Sequence, residues 1–237
     1  ENFNEYMEVI LNQTECRFVD ASETAVTLLN HESISEDTAK AYIRRLDTTI
    51  KTMKLVENKA FWPSLLEDDA VPPSSENLLN YYAEFCISAQ TFDTYFIGTL
   101  ERNADKVKWK WADITADLGD EAAAVFLKKL ICCTDLAIEQ YRAVLRPIRT
   151  SYSSFGITGL TEEYIAAVIE LGFISMTGEN LNFIRSYYPN HVIQFLMQNN
   201  GVSAVELVEQ SEGELNSEEI RGLLESKNFR FSTARRL

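Results

Sequence analysis

The sequence predicts an all-α protein made of stacked antiparallel helical hairpins, similar to an irregular α-solenoid of the HEAT or TPR type. The chain has nine Gly and five Pro in 237 residues, against roughly 17 and 12 for average usage, and tight turns between strands need those residues. Its apolar residues recur mainly at helical spacing. The stretch "VPPSSENLLNYY" at 71–82 also has a counterpart, "ISMTGENLNFIR", at 174–185.

Helices separated by short polar joints are predicted for the first third of the chain. Apolar stripes at 3–10 and 21–29 indicate the first two helices. Ser35 has the character of an N-cap, and the two acidic residues that follow it suit the positive end of a helix. The helical spacing of apolar residues continues to Met53, which predicts one long third helix.

The middle third predicts longer helices. An apolar stripe runs from 92 to 100, and "KVKWKW" at 106–111 alternates as a strand would. A helix over 104–116 is nevertheless favoured, because Asp120 can then cap a very long helix. The apolar stripe of that long helix extends from 126 to 144.

A domain boundary is predicted where this long helix ends. Pro147 cannot continue the helix, and "TSYSSFGITG" at 150–159 is rich in turn-forming residues. The predicted organisation is a helical-repeat region at 1–149 that ends in the long central helix, a hinge at 150–160, and a C-terminal helical-repeat region at 161–237.

Short helices are predicted again in the last third. Thr161 precedes one helix, and Gly172 follows its end. Pro189 suits the first turn of a helix over 190–200. Two capping boxes are present, Ser203 with Glu206 and Asn216 with Glu219.

The similarity between the two quoted stretches indicates an internal repeat. Residues 61–78 align with residues 164–181 without a gap, and both copies contain Glu-Asn-Leu preceded by Ser or Thr. A weaker third copy lies at 28–34. Any helical hairpin needs apolar stripes and a cap, which explains the leucines but not the Glu-Asn-Leu at matched spacing. One hairpin cannot bury its own apolar face, so repeated hairpins stack and share a core.

The second copy also resembles a known family. The pattern T-x-E-N-x-x-x-I-x-x-x-Y-P-x-x-x-I-x-F-L-x-x-N, from Thr177 to Asn199 with Phe183 and Ile184 as core residues, resembles repeats in the C-terminal helical region of YobI-like bacterial P-loop NTPases. "LLNHESISEDTAKAYIRRLD" at 28–47 is similar to another recurring unit there. The resemblance implies a non-catalytic, repeat-containing part of a longer NTPase, and no catalytic position carries over.

Composition restricts the classes of partner. The formal net charge of −14 opposes non-specific binding to a polyanion and favours a basic or neutral partner. No apolar run approaches the roughly 20 residues of a membrane span. The four cysteines form no CxxC pair, which predicts reduced, mostly buried thiols in the cytoplasm; they are Cys16, Cys86, Cys132 and Cys133.

Motifs for catalysis or metal binding are missing from the sequence. It contains neither GxxxxGK[ST] nor GxGxxG, so no phosphate site is assigned. With His31 and His191 as the two histidines, HExxH is excluded, and each histidine is expected in a polar joint or a cap. The acidic run at 67–69 is interpreted as a solvated helix end rather than a metal site. We therefore predict no catalytic, cofactor or metal residues.

A basic and aromatic patch is the one candidate binding site. Basic residues interleaved with aromatic ones can bind single-stranded nucleic acid, although salt-bridged helix surface is the ordinary interpretation. The three arginines would share one face if their helix persisted past Pro147. The residues are Lys106, Lys108, Trp109, Lys110, Trp111, Arg142, Arg146 and Arg149.

The sequence therefore predicts a non-catalytic interaction or scaffold segment of a larger bacterial protein. It would bind a protein partner and could sense that partner for a P-loop NTPase. The alternative is a nucleic-acid-binding helical module that uses the basic and aromatic patch. A third hypothesis, an all-helical enzyme with an acidic site, requires carboxylates that converge in a pocket.

Overall fold

The described residues form helices wherever their structure is regular. A computed structural model shows this fold, so the prediction of an all-α protein is confirmed for those residues, and the stacking of hairpins into a solenoid stays a prediction. The chain divides into two compact units, residues 1–147 and 148–237. The described residues are 2–13, 23–46, 52–150, 155–198, 207, 209–211 and 215–225.

Short helices joined by irregular segments make up the described part of the first unit. Two short 3-10 helices, Met53–Leu55 and Lys59–Phe61, precede the fourth α-helix, and a π-helical turn, Tyr82–Cys86, continues the fifth. The α-helices are α1 (Phe3–Asn12), α2 (Glu23–Leu29), α3 (Glu36–Arg45), α4 (Trp62–Glu67), α5 (Ser75–Tyr81), α6 (Thr94–Asn103), α7 (Trp111–Leu118), α8 (Asp120–Ile131) and α9 (Ile138–Leu145).

Helix α3 begins where the sequence predicts and ends earlier. Ser35 is its N-cap, because its hydroxyl accepts a hydrogen bond from the backbone N–H of Thr38 at 3.2 Å. The prediction of one helix through to Met53 is wrong, since Leu46 has extended backbone. The backbone N–H of Met53 donates to the side chain of Asn77 and not to a helical carbonyl.

A cluster of aromatic rings forms the centre of the first unit. The rings of Phe92 and Phe96 stack with centroids 4.4 Å apart. The ring of Phe126 meets Tyr82 and Trp109 edge-on at 4.7 and 5.1 Å. Such pairs are worth about 0.5–1.5 kcal/mol each beyond the area they bury. The cluster joins α6, α8, the π-helical turn and the segment that precedes α7.

The prediction of a helix over 104–116 is wrong, because residues 107–110 belong to no helix, Lys110 has extended backbone, and α7 begins only at Trp111. Val107 and Trp109 are buried, and the lysines that alternate with them, Lys106, Lys108 and Lys110, are exposed. The indole N–H of Trp109 also donates to the carbonyl of Ser75 at 3.2 Å. An extended chain turns every second side chain inward, so the alternation in the sequence reports this burial.

The prediction of one very long central helix is also wrong. Its apolar stripe belongs to two helices, because α8 ends at Ile131 and α9 begins at Ile138. Between them Leu136 is buried, and the hydroxyl of Tyr141 donates to the carbonyl of Ile131 at 2.8 Å. That hydrogen bond satisfies a carbonyl at the end of α8 that would otherwise lack a partner.

The second unit confirms several predicted helix ends. Thr161 precedes its first helix, and Gly172, with φ +77°, follows the end of that helix. Asn216 and Glu219 form a capping box, since each accepts the other's backbone N–H, at 2.8 and 3.0 Å. The box at Ser203 lies outside the described residues. The α-helices are α10 (Glu162–Glu170), α11 (Gly178–Tyr187), α12 (Val192–Met197) and α13 (Ser217–Glu225), with a 3-10 helix at Pro189–His191 before α12.

The predicted hinge at 150–160 lies just beyond the division between the units. The division falls after Pro147. The side chains of Phe155, Ile157 and Leu160 are buried. This part of the predicted hinge therefore packs within the second unit, and a hinge at 150–160 stays a prediction.

We expect Gly178→Ala to destabilise the second unit. A Cβ at Gly178 would overlap the backbone of Gln210, which cannot move aside as a flexible side chain can. The expected loss is about 1–3 kcal/mol in the free energy of unfolding, as for other overpacked sites. Urea denaturation measures it. Gly156→Ala is the matched control, because its Cβ would meet nothing within 4 Å, and an equal loss in both variants would contradict the close approach.

Candidate functional site

The two repeat copies end their first helix in the same way. After α4 the backbone N–H of Ala70 donates to Leu65 at 2.9 Å, and Asp69 adopts the left-handed conformation with φ +50°. After α10 the backbone N–H of Phe173 donates to Val168 at 3.2 Å, and Gly172 is left-handed. Both are Schellman motifs, which satisfy carbonyls that the helix leaves open.

The first copy then places a buried asparagine amide behind the N-cap of α5. The backbone N–H of Asn77 donates to Ser74 Oγ at 3.2 Å. Its Nδ2 donates to the carbonyl of Pro72 at 3.0 Å, and its Oδ1 accepts from the backbone N–H of Met53 at 2.8 Å. Asn77 is 1% exposed. We call this arrangement of a buried asparagine between two backbone segments an asparagine brace.

The second copy has the same brace. The backbone N–H of Asn180 donates to Thr177 Oγ1 at 3.2 Å. Its Nδ2 donates to the carbonyl of Ser175 at 2.8 Å, and its Oδ1 accepts from the backbone N–H of Phe155 at 3.1 Å. Asn180 is also 1% exposed. The asparagine of Glu-Asn-Leu therefore has the same structural role in both copies, which an apolar pattern does not explain.

The weaker copy at 28–34 is followed by a serine cap, Ser35, and lacks the brace. Thr38 lies three residues after this cap, and its hydroxyl shares a hydrogen bond with the Ser35 hydroxyl at 2.8 Å. Asn4 of α1 supports this joint instead. Its Nδ2 donates to Ser33 at 3.0 Å, and its Oδ1 accepts from the backbone N–H of Ser35 at 2.9 Å.

Basic side chains cover the end of α4. Nη2 of Arg102 donates to the carbonyls of Glu67 and Leu66 at 3.0 and 3.4 Å. Lys40 binds the Asp68 carboxylate at 2.9 Å, and this hydrogen bond raises the pKa of Lys40 and lowers the pKa of Asp68. The acidic run at 67–69 is therefore a helix end with bound cationic groups.

The corresponding end of α10 borders an open groove of about 540 Å³. Gln198 lines this groove, and within the described residues its buried Oε1 has no hydrogen-bond partner. A Cβ placed on Gly172 would lie 3.6 Å from Gln198 Nε2, which locates the amide beside the end of α10. The groove is lined by Glu170, Leu171, Ile174, Ser175, Met176 and Gln198.

Both histidines have structural partners. His191 Nδ1 lies 2.9 Å from Gln194 Oε1, and its Nε2 lies 2.5 Å from a Glu162 carboxylate oxygen. His31 accepts the backbone N–H of Ser33 at 3.1 Å and stacks on Phe3. No group of three or more His, Cys, Asp or Glu residues in the described part of the chain could hold a metal ion.

The structure buries one tryptophan of the predicted basic and aromatic patch. Trp109, 0% exposed, belongs to the aromatic cluster, and Trp111 is half-buried. The three lysines are exposed on the segment 106–110. Helix α9 ends at Leu145, before Pro147, so Arg149 does not share a helical face with Arg142 and Arg146. Arg149 also belongs to the second unit.

The described cysteines are free thiols. Cys86 and Cys133 are buried, and burial raises the pKa of each thiol to about 11. Cys132 is exposed, and partial burial also raises the pKa of its thiol. Cys16 lies outside the described residues. A raised pKa leaves little thiolate at neutral pH, so Cys86 and Cys133 are poorly suited to nucleophilic catalysis.

One contact at a helix end was not predicted from the sequence. Nζ of Lys129 donates to the carbonyls of Cys86 and Ile87 at 2.7 and 3.1 Å and lies 5.0 Å from the ring centre of Tyr82. Burial lowers the pKa of Lys129. The contact closes the π-helical turn, and its partners are more than 40 residues away along the chain, so no local pattern indicates it.

The chain matches no protein-family model, no curated protein and no solved structure. The resemblance to YobI-like P-loop NTPases stays a prediction. Among the described helices, none combines the length and the apolar character that a membrane span requires.

We expect Asn77→Leu and Asn180→Leu to destabilise their own units. Each leaves one buried backbone N–H, that of Met53 or of Phe155, without its partner, at a cost of about 1–3 kcal/mol. Hydrogen exchange gives the local measurement: Asn77→Leu should accelerate the Met53 amide, and Asn180→Leu the Phe155 amide. The exposed Asn190→Leu is the control. Unchanged exchange at both amides would contradict the braces.

We expect Asp68→Asn to weaken the helix end of α4 by about 0.2–1 kcal/mol at pH 7, the range of exposed ion pairs. The folded-state pKa of Asp68 is lowered, so its contribution is present above the unfolded pKa of about 3.9 and is lost as the pH falls through the folded value. Urea midpoints of wild type and variant should converge below pH 4. Asp105→Asn, at an exposed turn, is the control, and a pH-independent difference would count against the pair.

Proposed function

We propose that this chain is a non-catalytic interaction or scaffold segment whose helical hairpins present a groove to a protein partner. One observation supports the proposal most directly. The Schellman motif and the asparagine brace occur together twice, at 65–78 in the first unit and at 168–181 in the second. Recurring hairpins of this kind stack in α-solenoids, which bind partners along an extended surface. The solenoid architecture is part of the proposal.

The proposal includes a link to a bacterial P-loop NTPase, for which this segment would sense the partner. The family-like pattern at 177–199 supports it through the roles of its fixed positions. Asn180 braces the joint, Ile184 and Phe195 are buried, and the hydroxyl of Tyr188 accepts the backbone N–H of Leu160 at 3.2 Å. A pattern made of packing and joint residues suits a non-catalytic region.

The cytoplasm is the compartment that fits the proposal, because exposed Cys132 and buried Cys86 are free thiols. Nucleic-acid binding is the weaker alternative. Trp109 is buried with its indole N–H bound to Ser75, so the lysines beside it lack this ring as a stacking platform for bases.

The test is site-specific photocross-linking in source cells. We expect a photoreactive residue in place of exposed Tyr95, Phe85 or Tyr187 to give a discrete protein adduct at one or more positions. The exposed Glu139 of α9 is the control position and should give none. No adduct at any position, together with saturable and salt-sensitive binding of a single-stranded oligonucleotide by the purified chain, would overturn the proposal in favour of nucleic-acid binding.

The same extracts test the NTPase link. An antibody against this chain should detect a polypeptide far larger than 27.0 kDa. A band at 27 kDa would contradict the link and leave the interaction function standing.

A further inference from the structure

Among the described residues, Glu219 of α13 is the one charged residue that is buried. Its Oε1 and Oε2 accept hydrogen bonds from Nε and Nη2 of Arg185 on α11, both at 3.3 Å. The same Oε2 accepts the backbone N–H of Asn216 in the capping box at 3.0 Å. A buried carboxylate is costly unless it is paired, so a single side chain both caps α13 and attaches it to α11.

Helix α13 depends on this attachment, because a helix of nine residues is marginal in water by itself. It also packs on α12, where a Cβ added to Gly222 would lie 3.0 Å from the side chain of Ile193. Leu223 is buried, whereas Leu224 is 55% exposed. The helix is therefore attached along one face, on which Glu219, Gly222 and Leu223 lie at helical spacing.

The surface beneath α13 has a defined requirement for what covers it. If α13 left, the side chain of Arg185, only 18% exposed, would lose both contacts with the Glu219 carboxylate. Its Nη1 would keep the hydrogen bond to the Ser211 hydroxyl at 3.1 Å. Removing one partner of a buried ion pair is strongly destabilising. A helix that replaced α13 would therefore need a carboxylate at the position of Glu219, and only a small residue at the position of Gly222 fits against Ile193.

We propose that α13 is an internal occupant of a helix-binding surface on α11 and α12, and that a protein partner binds there by displacing it. The inference rests on the proposed interaction function and names the surface and the class of partner. The partner segment is an amphipathic helix with a glutamate and, three and four residues later, a small residue and an apolar one. Such helices bind through side chains at this spacing. The ion pair with Arg185 fixes the register of whichever helix is bound.

Hydrogen exchange in the whole chain tests whether α13 is released separately. Glu219→Gln removes the charge from the ion pair, so the Leu223 amide should exchange at least about tenfold faster, while the Val168 amide of α10 keeps its wild-type rate. Glu218→Gln is the matched control, because Glu218 is the exposed neighbour of Glu219, and it should change neither rate. An unchanged rate at Leu223, or an equal acceleration at Val168, overturns the inference because α13 would not then leave by itself.

A peptide added to the Glu219→Gln chain tests the surface itself. The probe is acetyl-Leu-Asn-Ser-Glu-Glu-Ile-Arg-Gly-Leu-Leu-Glu-amide, which copies residues 215–225. Followed by NMR, it should shift the Nε–H signal of Arg185 and the methyl signals of Ile193. The peptide with glutamine in place of its second glutamate should bind at least about tenfold more weakly, because it lacks the charge that pairs with the guanidinium. Equal binding of the two peptides, or no shift at Ile193, overturns the inference.

A third peptide tests the requirement for a small residue. Leucine in place of its glycine would overlap the side chain of Ile193, so this peptide should also bind about tenfold more weakly than the first. Binding as tight as that of the first peptide would contradict the proposed class of partner.

Failure of this inference is distinguishable from failure of the proposed function. A chain that gives a discrete cross-linked partner but does not distinguish the glutamate peptide from the glutamine peptide keeps the interaction function and loses the helix-binding surface. A chain that binds the glutamate peptide selectively but gives no cross-linked partner keeps the surface and loses the interaction function.

Discussion

The braces of Asn77 and Asn180 are the constraint on which the packing of both units depends. Irregular backbone before a helix carries N–H and C=O groups that need partners once they are buried. A primary amide offers the donors and the acceptor of a peptide group, so one asparagine can complete hydrogen bonds to two separate segments. Each brace ties the joint before a helix to backbone 24 or 25 residues earlier in the chain. One side chain therefore fixes a non-local contact that short helices cannot fix by themselves.

The short helices make their ends the critical part of the fold. The described α-helices have 6 to 12 residues, a length at which isolated helices are marginal in water. Each end leaves up to four backbone groups without an intrahelical partner. Side chains from other elements supply them: Arg102 at α4, Tyr141 at α8 and Lys129 at the π-helical turn. Polar residues that resemble candidate sites in the sequence are therefore mostly components of helix ends.

Sequence rules for helix caps correctly predicted the helix ends that depend on neighbouring residues. Ser35, Gly172 and Asn216 marked helix ends correctly, because a cap depends on residues within one turn of it. The break after Ile131 and the non-helical segment at 107–110 were not predicted, since each depends on rings and hydroxyls supplied from elsewhere in the fold. Trp109 of the predicted patch is a further example, because it is buried. The alternation at 106–111 is visible in the sequence, but the aromatic cluster decides the direction in which Trp109 points.

The two copies share their hydrogen bonds and differ in the charge at the end of the first helix. At the end of α4 the sequence has Asp68 and Asp69, and these carboxylates retain cations from within the unit. At the end of α10 the corresponding residues are Leu171 and Gly172, so no carboxylate at these positions recruits an internal arginine. The brace and the Schellman motif do not need that cation, because backbone and asparagine already satisfy each other there. A helix end can consequently lose the carboxylates that hold cations without losing the geometry of its last turn.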